Sequence, residues 1–164
     1  MKSKFIYESI ESFLEPKSNE DIKKELSKLS KSELNDMLFT ATYNGENSRK
    51  IKLLIDAGAD VNNDDGFIDS TPLMNASQYG YKDIVKLILD SGADVNAKDN
   101  DGWTALMYAS NNGHEEVIKM LINSGAYVND KDNKGFTALH YASSNSSIDI
   151  IKFFKQHGAK YNNY

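Results

Sequence analysis

The chain has 164 residues, 40% of them apolar and 26% charged, with a net charge of -5 and no cysteine. That length and balance suit one ordinary domain. The missing thiols remove disulfides, zinc fingers, iron–sulfur clusters and cysteine nucleophiles, and the negative balance disfavours nucleic acid as a partner.

The amino terminus opens with Lys2, Lys4, Phe5 and Ile6 in the manner of a secretory signal. Glu8, Glu11 and Glu15 then interrupt the apolar run that such a signal needs. No segment approaches the roughly 18 apolar residues that span a bilayer. A cytoplasmic location is the expectation, with export by a route lacking a readable signal as the alternative. Phe5, Ile6, Ile10, Phe13 and Leu14 share one helical stripe, which Pro16 ends. Ser18 is placed to N-cap a second short helix carrying Ile22, Leu26 and Leu29. Residues 1–30 read as a helical cap over the first repeat, with a separate partner-binding helix as the alternative. Membrane insertion is disfavoured by the interrupting glutamates and the lack of a basic face.

Beyond residue 30 the chain repeats itself. Gly58-Ala59-Asp60-Val61-Asn62 returns intact from Gly92 to Asn96, and degraded from Gly125 and from Gly158, at steps of 34, 33 and 33 residues. A fixed period of this size means stacked units, each burying its apolar face against the next. Ser30 with Glu33 forms a capping-box pattern at the start of the first unit. The units divide at about 31–63, 64–98, 99–131 and 132–164. Their first helices open on Thr71-Pro72-Leu73, Thr104-Ala105-Leu106 and Thr137-Ala138-Leu139, with Leu38 the weaker counterpart in the first unit. Pro72 suits a first helical turn. Gly113 and Gly125 are placed to end helices with a positive φ. Between them Val117, Ile118, Leu121 and Ile122 carry a second amphipathic helix. The Asp/Asn/Gly-rich stretches such as 96–102 read as extended turns. Single extra residues sit between Gly45 and Ile51 and between Val61 and Thr71, both at turns. Lys155 stands where Leu89 and Ile122 stand in earlier units, a charge that suits the outer face of a last repeat.

On the Thr-Pro-Leu opening, the Gly-Ala-Asp-Val-Asn close and the 33-residue step, residues 31–164 resemble the ankyrin repeat family. The resemblance implies an all-α solenoid of helix-turn-helix units with extended turns. It also implies a concave face of first helices and turn tips, where partners usually dock, and a structural role for His140. Phe39, Met74 and Met107 replace that histidine in the other units.

At 100° per residue, Leu106, Ala109 and Ser110 face inward, whereas Tyr108, Asn111 and Asn112 face outward. The equivalent outward positions are Asn75, Gln78 and Tyr79 in the preceding unit and Tyr141, Ser144 and Asn145 in the following one. The tips carry Phe67, Ile68, Trp103 and Phe136, with Asp69 and Asp101 beside them. Trp103 and Phe136 either pack turn against turn or form a binding stripe with Tyr108 and Tyr141. Tyrosine and tryptophan are enriched among interface hot spots. Residues 64–101 hold eight acids (Asp64, Asp65, Asp69, Asp83, Asp90, Asp94, Asp99 and Asp101) against Lys82, Lys86 and Lys98. That excess predicts a partner with a basic surface; the alternative is solubility charge.

Enzyme chemistry is not indicated. His114, His140 and His157 lie apart without acidic partners at ligand spacing, and no nucleophile elbow or phosphate loop is present. Asp99 to Gly102 begins like a calcium loop but lacks the glutamate at its twelfth position. No cofactor or metal is expected. Asn62, Asn96 and Asn129 are read as turn-bonding residues. The expected function is a monomeric, non-catalytic protein-binding module, either adaptor or inhibitor. A secreted effector is the first alternative and an enzyme with an unrecognised site the second.

Overall fold

A computed structural model describes residues 18–160. Among the described residues there are nine helices and one isolated antiparallel bridge between Lys131 and Thr137. They are α1 (Asn19–Leu26), α2 (Lys31–Tyr43), α3 (Ser48–Asp56), α4 (Pro72–Gln78), α5 (Lys82–Asp90), α6 (Ala105–Asn111), α7 (Glu115–Asn123), α8 (Ala138–Asn145) and α9 (Ile148–Gln156). From α2 onward they pair within each unit. The first helices (α2, α4, α6 and α8) form an inner row, and the second helices lie behind them. Neighbours in the inner row pack more closely than neighbours in the outer row, so the stack bends toward its inner face.

The helix starts follow the sequence. Ser18 accepts from the Asp21 amide at 3.2 Å, and the Ser30–Glu33 capping box closes on both sides. Pro72 occupies the first turn of α4, where its missing N–H costs nothing. Thr71 and Thr104 cap α4 and α6 through the amides of Met74 and Met107. The core runs unbroken through the units. Leu38, Leu73, Leu106 and Leu139 are at most 1% exposed, as are Ile51, Val85, Ile118, Leu121 and Phe154. Truncating one such leucine to alanine costs about 2–5 kcal/mol. Ile22 and Leu26 of α1 join this core against α3, with Leu29 half-buried beside them. The stripe from Phe5 to Leu14 lies outside the described residues.

Lys50 occupies the core position that is Ile84, Val117 and Ile150 in the other units, and it is buried there. Its ammonium meets Glu46 at 3.1 Å. Tyr81 and His114 hold consecutive units together at their helix turns. The His114 ring packs on Gly80 and Nε2 donates to the Gln78 carbonyl at 2.9 Å. A β-carbon at Gly80 would come within 2.5 Å of that ring, and the glycine has φ +72°. The closing-motif asparagines do more than bond their own turn. Asn62, Asn96 and Asn129 each reach the following unit, where their side-chain amides donate to the carbonyls of Gly92, Gly125 and Gly158. The amides of Asp94, Tyr127 and Lys160 donate back at 2.7, 2.8 and 2.9 Å.

Candidate functional site

The turn tips are built on one aspartate each. Asp99 Oδ1 accepts the amides of Asp101 and Trp103 at 2.9 and 2.8 Å. Asp132 repeats this with Lys134 and Phe136, and Asp65 accepts from Phe67, Ile68 and Ser70. Consecutive tips also bond each other. The Asn100 amide donates to the Ile68 carbonyl and the Asn133 amide to the Asp101 carbonyl, both at 3.0 Å. The second oxygen of two of these carboxylates receives a tyrosine. Tyr108 donates to Asp99 Oδ2 at 2.6 Å and Tyr141 to Asp132 Oδ2 at 2.5 Å. Burial, followed by the bond to Asp99, raises the Tyr108 phenol well above its ordinary range.

The rings above these hydroxyls form one cluster across the third and fourth units. Trp103 lies 5.0 Å from Tyr108 and 4.5 Å from Tyr141. Phe136 stands edge-on to Tyr141 at 6.1 Å and stacks on His140 at 4.2 Å. Trp103 and Phe136 thus meet through Tyr141, which contacts both rings. Trp103, Tyr108, Phe136 and Tyr141 are all half-buried, so each still presents part of its ring to solvent. His140 is exposed and belongs to the same stack, although the sequence reading gave it a purely structural role.

Other expected positions divide. Phe67 is 85% exposed at its tip, and Ile68, Asp69 and Asp101 are exposed with it. Asn111, Asn112 and Asn145 are exposed on the inner row, and Gln78 is half-buried. Asn145 reaches back to the Asn111 carbonyl at 2.6 Å. Asn75 is a correction. It was expected to point outward with Tyr108, but it is buried at 4% exposure, with Oδ1 facing the Ser70 hydroxyl. Helix α4 is flanked on both sides by inner-row neighbours, and almost nothing of it before Gln78 reaches solvent. Tyr79 is exposed, but at the carboxyl end of α4, one helix length from the tips. It belongs with Tyr43 and Tyr81, which the sequence reading did not single out. Not all of the eight acids in residues 64–101 stand free at the surface. Asp99 is buried, Asp65 is spent on three amides and Asp90 pairs with Lys86 at 2.6 Å.

Among the described residues, no three or more His, Asp or Glu side chains gather as metal ligands, and no helix is long and apolar enough to cross a membrane. The family model described as "Ankyrin repeats (3 copies)" matches residues 6–99 and 94–164. None of the curated proteins matches the chain.

Proposed function

The chain belongs to the ankyrin repeat family, whose members are in general protein–protein interaction modules and typically non-catalytic, and we propose that this one binds a protein partner through its inner face and tips. It acts as an adaptor, or as an inhibitor that occludes the partner's own surface. The observation that carries this is the continuous cluster of Trp103, Tyr141, Tyr108 and Phe136, half-exposed and fixed from below by Asp99 and Asp132. Rigid aromatic rings held before binding lose little entropy on docking. Phe67 adds a separate exposed apolar ring on the preceding tip. Exposed Asp69 and Asp101 lie beside these rings and favour a partner with basic residues.

The test is affinity capture with the intact chain beside a Trp103→Ala variant whose fold is checked by circular dichroism. The expected outcome is loss of the captured partner, with a cost of about 2 kcal/mol or more. Capture at full strength by the folded variant would overturn the reading. Tyr108→Ala is the poorer probe, because it also removes a bond that shapes the tip.

A further inference from the structure

The closing turn of the third unit departs from those of the first two. There the motif aspartate caps its own turn: Asp60 Oδ1 accepts the Asn62 backbone amide at 3.0 Å, and Asp94 Oδ1 accepts that of Asn96 at 2.9 Å. The third unit has Tyr127 at this position, with 65% of it exposed. Tyrosine brings no carboxylate to the turn. Among the described residues, the Asn129 backbone amide has no acceptor.

A cavity of about 470 Å³ lies at this turn, between the end of α7 and the residue that follows α9. Ile122, Ala126 and Val128 give it an apolar lining, and Tyr127 and Asn129 line it too. Its ionisable residues besides the tyrosine are Asp130 and His157. The Asp130 carboxylate is already paired with Lys98 at 3.1 Å. His157 Nδ1 donates to the Phe153 carbonyl at 2.9 Å, whereas Nε2 has no bond among the described residues. Two exposed cations border the turn. Lys131 follows Asp130, and the Lys160 backbone amide donates to Asn129 Oδ1. Asp94, in the preceding turn, is held on the Asn96 amide.

We propose that this turn takes its carboxylate from a partner, binding an acidic side chain flanked by an apolar residue. The carboxylate accepts from the Asn129 amide, as Asp60 and Asp94 do within their own turns. It also accepts from His157 when Nε2 carries a proton. Hydrogen bonds to a charged acceptor are about twice as strong as neutral ones. The apolar neighbour packs on the Tyr127 ring and the apolar lining. The site shares no residue with the Trp103 cluster and does not rest on it.

The test titrates the intact chain with the blocked peptide acetyl-Ala-Leu-Glu-Leu-Ala-amide, followed by backbone amide and aromatic resonances. Saturable shifts are expected at the Asn129 amide and at the rings of Tyr127 and His157. Replacing the glutamate with glutamine weakens binding by about tenfold. Tyr127→Asp restores the turn's own carboxylate, so this variant folds and loses the peptide. Tyr127→Ala binds more weakly but keeps the preference for glutamate. Trp103→Ala leaves binding unchanged, which separates this outcome from that of the inner-face reading. Several results would overturn the proposal: no shift at millimolar peptide, equal binding of the glutamine peptide or of one with lysine in its place, or shifts centred on Trp103 and Tyr141. Undiminished binding by Tyr127→Asp would do so as well.

Discussion

At the scale of single residues, the tip aspartates do most of the organising. Burial pushes the Asp132 carboxyl up, but the Tyr141 hydroxyl and the amides of Phe136 and Lys134 outweigh it and hold it below the usual carboxylate range. Asp60 is lowered by the Asn62 amide and by Lys31, and Glu115 by the hydroxyl and amide of Ser147. A carboxyl whose folded pKa lies below its unfolded value stabilises the fold at all pH above that unfolded value, about 4. The contribution is lost as pH falls through the folded pKa. Stability should therefore decline below about pH 4. Asp132→Asn should cost about 1–2 kcal/mol at pH 7 and flatten the acid decline. Urea unfolding from pH 7 to pH 3 checks this; a variant curve parallel to the parent would show that Asp132 contributes nothing to the slope.

At the scale of elements, the tips differ in one backbone detail. Asp69 has φ +58°, where the next two tips place Gly102 and Gly135 at +78° and +86°. An L-residue there is strained by roughly 1–2 kcal/mol, less for aspartate, which tolerates the region better than most. Asp69→Gly should stabilise the fold by about 0.5–1 kcal/mol, read as a higher urea midpoint with an unchanged slope. A lower midpoint would mean that the aspartate's own contacts outweigh its strain. The helices themselves were legible because caps and period agree: Ser18, Ser30 and Pro72 start helices where expected, and Val117 to Ile122 bury as a stripe. The site was less legible. A helical wheel gives Asn75 the same outward direction as Tyr108, but the shorter side chain is buried beside Ser70, whereas the longer tyrosine reaches partly into solvent. The hydroxyl-to-carboxylate bonds had a readable signal, since an aspartate precedes the tyrosine by nine residues at Asp99–Tyr108 and again at Asp132–Tyr141. The Tyr43–Tyr79 contact had none, because the two residues occupy different positions of the repeat.

At the scale of the molecule, cooperativity depends on what passes between units. In a stack, stability is close to a sum of unit stabilities and nearest-neighbour interfaces. The asparagine bridges belong to those interfaces, two hydrogen bonds for each of Asn62, Asn96 and Asn129. Asn96 joins the second unit to the third, in the middle of the array, and Asn129 joins the third to the fourth. Truncating either to alanine removes similar bonds and should cost a similar 1–2 kcal/mol or so. The consequences should differ. Asn96→Ala weakens the central junction, so the two halves should begin to unfold separately and the urea transition should broaden, with a lower apparent slope. Asn129→Ala weakens only the last junction, so the main transition should stay sharp. Amides of α8 and α9 should then lose hydrogen-exchange protection first. If both variants lower protection equally along the whole chain, the stack unfolds as a single unit and the asparagines add stability without setting its cooperativity.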